Sequence, residues 1–239
     1  FNKVNVTNKI LLEKMIKKIK PSIVINCIEI DKQNLNKKNL KNIFLINSIF
    51  PRYLSHLSKK YKFRFIHFST DCVFSGKRGN YNENDFSDVA DSYGVSKFLG
   101  EDVSGNNLII RTSIIGHELK SKKSLLEWFL VQNTTVRGYA NANFSGFTTH
   151  ELASILNNYV LKNTKLKGLL HLSSRPISKY DLLLLIRKVY NKKIKIIKDK
   201  NVVIDRTMDS SKFKKITKFK PKSWNVMIKD MYKFSQNKK

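Results

Sequence analysis

Ser69 and Thr70 stand together at the end of an apolar run, and Tyr93 and Lys97 follow with four-residue spacing. Together they offer two hydroxyls, a phenol and an ammonium. Reduction of a ketone by a nicotinamide needs a proton for the developing alkoxide, and a tyrosine can supply it. An ordinary phenol, with a pKa of ~10, has to be tuned for that work. Residues four apart on a helix share a face, so Lys97 lies beside Tyr93. An ammonium there favours the phenolate and is expected to lower the phenol's pKa. It can also hydrogen-bond a cofactor ribose. Thr70, with Ser69, then orients the carbonyl and the phenol from the strand end.

Tyr-x-x-x-Lys alone is a weak signal, since such pairs arise by chance in lysine-rich chains. Its plain alternative is an exposed helix with a half-buried tyrosine. Placement strengthens it. The helix follows a strand ending Ser-Thr-Asp, the intervening loop is acidic and turn-rich, and the next strand carries "RTS".

The elements that must hold these residues follow from periodicity. Thr7 or Asn8 can cap a helix carrying Ile10, Leu11, Met15, Ile16 and Ile19, which Pro21 stops. "SIVINCI" reads as a buried parallel strand. A lysine-rich loop leads to a helical stretch over 39–61, interrupted at Pro51. "FRFIHFS" is the next strand, "SYGVSKFLGEDVS" a helix and "NLIIRTSIIG" a strand. "SLLEWFLVQ" and "HELASILNNYVLKN" are helical, and "GLLHLSS" is a strand. Ser178 caps "SKYDLLLLIRKVY", "KIKII" is a short strand, and Met227, Ile228 and Met231 mark a last helix. This alternation predicts an α/β fold, a doubly wound parallel sheet of Rossmann-like type with a smaller C-terminal substrate lobe. Ligands bind such sheets beyond the strands' carboxyl ends, where Thr70 falls. The expected division gives residues 1–117 and about 140–165 to the dinucleotide-binding domain, and about 118–139 and 166–239 to the substrate lobe.

Composition narrows the class. With 239 residues and 41% hydrophobic content, the chain can bury a real core. No apolar run approaches the ~18 residues of a membrane span. Cys27 and Cys72 lack CxxC spacing and companion histidines, which argues against zinc and a disulfide framework and suits a reducing cytoplasm. The net charge of +28 invites a nucleic-acid partner. That reading is set aside, because the charge is mostly lysine spread over every segment, without the arginine forks of base and phosphate readout. No metal site is expected.

"KPSIVINC", "NSIFPRYLS", "FIHFSTDCVFSG", "YNENDFSDVADSYGVSKFLGE" and "IIRTSIIG" together resemble the extended short-chain dehydrogenases/reductases, and most closely the dTDP-4-dehydrorhamnose reductase family. "FSGFTTHELASIL" and "GLLHLSSRPISKYDLL" extend the resemblance over nearly the whole chain. It implies NADPH- or NADH-dependent reduction of a 4-keto sugar carried on a nucleoside diphosphate, the nucleotide sugar being the partner. Carried over, Tyr93 is the proton donor, Lys97 its partner and ribose ligand, and Thr70 the orienting hydroxyl. Ser69 joins the cofactor contacts, Cys27 and Ile28 match the turn along the cofactor, and Asn47 matches an asparagine behind the active site. Thr112, Ser113 and Ile114 match the strand end flanking nicotinamide and sugar. Asn143 and Ser145, in "NANFSGF", lie where the family closes over the sugar nucleotide. A homodimer is compatible with the sequence. Arg111 reads as a structural partner, His117 and His150 as surface residues, and Trp128 and Phe129 as core.

Three departures stand out. Cys72 replaces an aromatic residue common after Ser-Thr-Asp, and Ile114 a tryptophan, which puts the identity of the hexose in doubt. More important, the family opens with a strand, a glycine-rich turn and a helix that hold the pyrophosphate. Here the first glycine is Gly76 and the first residue is Phe1. The expectation is an amino-terminal truncation, with a degenerate protein as the alternative. Two other functions share the scaffold: a non-catalytic binding subunit, like the regulatory subunit of methionine adenosyltransferase, and a nucleotide-sugar epimerase or dehydratase. The missing βαβ segment would form the middle of the parallel sheet and its loss would leave strand edges unpaired, so the 239-residue chain alone is expected to be poorly stable and inactive. Measurable NADPH-dependent turnover by these residues alone would overturn that.

Overall fold

The structure, a computed structural model, describes residues 4–32, 39–119 and 122–237. Most of the lysine-rich loop expected after the first strand falls at 33–38, outside the described residues. In chain order the elements are α1 (Lys9–Ile19), β1 (Ile23–Asn26), α2 (Leu40–Phe44), α3 (Phe50–Tyr61), β2 (Arg64–Thr70) and α4 (Ser92–Leu99). Next come β3 (Leu108–Thr112), β4 (Ile114–Ile115), α5 (Leu125–Val131), β5 (Val136–Phe144), β6 (Phe147–Thr148) and α6 (Thr149–Ile155). Then follow β7 (Gly168–His171), β8 (Ile177–Ser178), α7 (Lys179–Val189), β9 (Ile196–Asp205), α8 (Ser211–Thr217) and α9 (Trp224–Gln236). No helix among the described residues is long and apolar enough to cross a membrane.

The chain forms two compact units. The first comprises Phe1–Phe74, Phe86–Arg111 and Lys165–Leu170; the second comprises Ser75–Asp85, Thr112–Thr164 and His171–Lys239. The boundary thus falls elsewhere than periodicity proposed: 112–117 and most of 140–165 go with the second unit. Strand pairing explains this, because β4 pairs with β6 and β5 pairs with β8 and β9.

In the first unit β1, β2, β3 and β7 lie side by side in that order. β1 runs parallel to β2 with Ile23 opposite Arg64 and Asn26 opposite His67. Among the described residues β2 is its one strand partner, and Ile25 on it is 39% exposed. β3 is buried along its whole length, as its continuous apolar run demands. Asn8 caps α1 by accepting from Leu11 N. Ile16 of α1 packs with Phe50, Leu54 and Leu57 of α3 and with Phe63 and Phe65 leading into and along β2. Burial of this apolar face holds both helices more firmly than their own propensity could. The break expected at Pro51 is displaced. Pro51 sits in the first turn of α3, where its missing N–H costs nothing. The irregularity is a π-helical turn just before it, Leu45–Ile49, which carries Asn47.

In the second unit β5 is the central strand, antiparallel to β8 and parallel to β9. The register slips between Tyr139 and Asn141. Ser178 caps α7 as expected, accepting from Asp181 N. β5 was not legible as a strand: "VRGYANANF" has few β-branched residues and contains Gly138. β9 was read only at its start, since most of its remaining length lies exposed and lacks apolar alternation. Each is stabilised by pairing with the other, a contact between distant segments that no local pattern reports.

His67 of β2 is 1% exposed. Its Nδ1 lies 3.1 Å from Asn26 Nδ2, and its Nε2 is buried with no hydrogen-bond partner among the described residues. Burial, helped by the Lys97 charge, pushes its pKa down to about 3. Below pH ~6.5 the unfolded chain takes up a proton that the folded chain refuses, so stability falls as pH falls through that window. The slope for one such group is about 1.4 kcal/mol per pH unit. Urea unfolding between pH 7 and pH 4 should show this loss, and His67→Gln should reduce the slope by about one proton.

Candidate active site

β2 delivers Thr70 to its carboxyl end, and Thr70 Oγ1 accepts from Cys72 N at 3.1 Å to cap the short 3-10 turn Asp71–Val73. Asp91 caps α4 by accepting from Gly94 N at 3.0 Å. α4 then presents Tyr93 and Lys97 on one buried face, at 6% and 2% exposure. Two glycines let this helix approach on bare backbone. A Cβ on Gly94 would sit 2.3 Å from the Cys72 carbonyl oxygen, and one on Gly100 would sit 2.1 Å from the Asn47 carbonyl oxygen. Any side chain at either position would push α4 away.

Lys97 Nζ donates to the Phe68 carbonyl at 2.7 Å and lies 3.0 Å from Glu29 Oε2. Tyr93 Oη donates to the same Glu29 oxygen at 3.3 Å. The phenol pKa is raised well above its ordinary value, first by burial and then by the Glu29 and Cys72 charges, while a hydrogen bond with Thr70 pulls it down. This corrects the expected lowering by Lys97. The ammonium faces a carbonyl and a carboxylate, and the phenol donates to that same carboxylate.

Asn47 connects two parts of the site. Its Oδ1 accepts from Ile30 N and its Nδ2 donates to Ile30 O, both at 2.9 Å. Nδ2 also donates to Ser96 Oγ at 3.1 Å, and Ser96 Oγ donates to the Tyr93 carbonyl at 2.7 Å. The turn after β1 is thereby fixed against α4. That turn contains Cys27, which is exposed, and Ile28, whose N–H donates to Asn26 Oδ1 at 3.0 Å. Ser69 points into a different network: its hydroxyl donates to Glu101 Oε1 at 2.6 Å. Arg111 holds the same carboxylate through Nε at 2.8 Å and Nη2 at 2.7 Å. Arg111 is a structural partner, as read from the sequence. Glu101 was missed there, although it ends the "SKFLGE" stretch.

The other site residues predicted from the sequence belong to the second unit. Thr112 is buried, and its Oγ1 has no hydrogen-bond partner among the described residues. Ser113 is half-buried, and its carbonyl accepts from Phe147 N at 2.9 Å. Ile114 is 56% exposed. Asn143 Nδ2 donates to Asp205 Oδ2 at 2.9 Å, and Ser145 Oγ accepts from Met208 N at 3.1 Å. His117 is less peripheral than expected, since its ring nitrogens lie 2.7 Å from Glu127 Oε1 and 2.8 Å from Tyr190 Oη. The His150 ring lies tilted against that of Phe234, with centroids 5.0 Å apart, and Phe129 is core while Trp128 is partly exposed.

The residues present fit one end of a nicotinamide dinucleotide. Lys97 Nζ, held by the Phe68 carbonyl and beside the Tyr93 phenol's acceptor Glu29 Oε2, is a donor that a ribose hydroxyl would need. The pyrophosphate end has no glycine-rich turn among the described residues, whose first glycine is Gly76.

A parallel α/β sheet with a threonine, tyrosine and lysine at its carboxyl edge defines the scaffold of the extended short-chain reductases. The family described as "RmlD substrate binding domain" matches residues 1–237, and the chain belongs to it. The chain is 27% identical to the dTDP-4-dehydrorhamnose reductase of Aggregatibacter actinomycetemcomitans over 199 residues, 78% of this chain and 67% of the relative. It is 37% identical to the spore coat polysaccharide biosynthesis protein SpsK of Bacillus subtilis over 103 residues, 41% of this chain and 36% of that protein. The fold matches a dTDP-4-dehydrorhamnose reductase from Bacillus anthracis, solved in complex with NADP, with a TM-score of 0.84 at 20% identity. That match covers 97% of this chain and 87% of the other.

Asn47→Ala would strand the Ile30 N–H and C=O and loosen α4. Buried groups left unsatisfied cost about 1–3 kcal/mol each, so urea unfolding should show a loss of about 2–4 kcal/mol.

Proposed function

We propose that this protein reduces the keto group of a nucleotide-linked 4-keto-deoxysugar with NADPH or NADH, a step in making activated sugars for a surface polysaccharide or glycan. The observation that carries this reading is that the Tyr93 phenol and the Lys97 ammonium, on one buried face of α4, reach one and the same acceptor, Glu29 Oε2, at 3.3 Å and 3.0 Å. The Thr70 hydroxyl, at the end of β2, donates to Asp71 Oδ1 at 3.2 Å and accepts from Cys72 N at 3.1 Å.

When bound, the reduced nicotinamide supplies the hydride for the keto carbon. Tyr93 gives its proton to the carbonyl oxygen as negative charge develops there. At neutral pH the phenol carries its proton, the form a donor needs. Thr70 orients the phenol and the sugar carbonyl. Lys97, fixed by the Phe68 carbonyl, holds the ribose hydroxyls and so sets the distance from cofactor to substrate. A cytoplasmic location is part of the reading, supported by two cysteines that form no disulfide among the described residues.

The relatives named for dTDP-4-dehydrorhamnose reduction and for spore coat polysaccharide biosynthesis support the substrate class. A non-catalytic binding subunit has no chemical need for an intact Thr70, Tyr93 and Lys97. A dehydratase would want an acidic pair after Ser69-Thr70, and Asp71 is followed by Cys72.

The test is an assay with a dTDP-linked 4-keto-6-deoxysugar and NADPH or NADH, run on the protein at its full encoded length and on these 239 residues. Tyr93→Phe should lower kcat by about 100-fold or more while leaving dinucleotide affinity within about twofold. Turnover that survived this change would remove Tyr93 from the mechanism.

A further inference from the structure

Glu29 lies in the turn after β1, and one of its carboxylate oxygens accepts from Tyr93 Oη at 3.3 Å and pairs with Lys97 Nζ at 3.0 Å. The turn is anchored on both sides of it. Asn26 Oδ1 accepts from Ile28 N at 3.0 Å on one side, and Asn47 grips both backbone groups of Ile30 at 2.9 Å on the other. The carboxylate is therefore held in place against a lysine that is 2% exposed, while its own side chain remains 37% exposed.

We propose that Glu29 is a positioning residue that sets the charge state of the Tyr93–Lys97 pair and keeps Tyr93 as the neutral phenol. Two physical effects act together. A phenol that donates to a carboxylate must keep its proton, and a phenolate in that place would meet a like charge. The same carboxylate balances the ammonium, so Lys97 is not left to stabilise the phenolate. Glu29 thereby offsets the acidifying effect that a lysine four residues on would otherwise have. Resting on the reductase reading, this holds Tyr93 in its protonated form and makes it a weaker acid than it would be beside Lys97 alone.

The charged and titratable groups facing the phenol are Glu29 from the turn after β1, Asp71 and Cys72 from the turn after β2, and Lys97 from α4 itself. Of these, Glu29 is the carboxylate that touches both members of the pair.

The experiment is an ultraviolet titration of tyrosinate in wild-type protein, Glu29→Gln, Glu29→Ala and Glu29→Asp. The Tyr93→Phe curve is subtracted from the wild-type curve, and each Glu29 variant is paired with its own Tyr93→Phe double variant, to isolate one of nine tyrosines. Readings are compared at pH values where circular dichroism shows both proteins folded. Removing the charge should lower the Tyr93 midpoint by about one pH unit or more, a roughly tenfold weaker hold on the proton. Wild-type Tyr93 should stay un-ionised where the Gln variant is ionised, and the Asp variant, with its charge one methylene further back, should fall between them. In the assay at full encoded length, the basic limb of the pH profile for reduction should move down with the midpoint. A Tyr93 midpoint unchanged or raised in both Glu29→Gln and Glu29→Ala would overturn the proposal. The titration needs no substrate, so loss of the reductase reading through absent turnover would be visible separately from it.

Discussion

The buried ammonium of Lys97 is the constraint on which the site depends. A charge at 2% exposure is tolerated only when it is paired and hydrogen-bonded. Its two partners come from different elements, the Phe68 carbonyl of β2 and Glu29 of the turn after β1. Satisfying that one group therefore fixes α4 against the strand end and against the neighbouring turn. Tyr93 and Thr70 take up their mutual position as a consequence.

Two other networks make this arrangement rigid. Asn47, lifted into place by the π-helical turn, ties the β1 turn to Ser96 and through it to the Tyr93 carbonyl. Glu101 gathers Ser69 and a bidentate Arg111, so the residue before Thr70 is locked to β3. Gly94 and Gly100 permit the close backbone approach that both networks need. The spacing in "SYGVSKFLGE" is thus a set of packing requirements interleaved with the proposed proton donor and its lysine.

The second unit is organised by pairing between remote segments. β5 and β9 align over most of their lengths with a slip between Tyr139 and Asn141. Two residues expected at the sugar, Asn143 and Ser145, carry hydrogen bonds to Asp205 and Met208 that hold this sheet and the chain beyond it. Thr112, by contrast, keeps a buried hydroxyl without a partner among the described residues.

The sequence by itself determined most of the helices, the four strands of the first sheet, the caps at Asn8 and Ser178, and the grouping of Thr70, Tyr93 and Lys97. Those features rest on local periodicity, on side chains that bond their own backbone, and on a helical spacing that puts two residues on one face. Only the tertiary structure decided the boundary of the two units, the strand at Val136–Phe144, the structural duty of Ser69 and the place of Glu29. Each of these depends on contacts between segments far apart in the chain. The phenol shows the difference most clearly: spacing alone predicted a lysine that acidifies it, while burial and a carboxylate from another element raise its pKa instead.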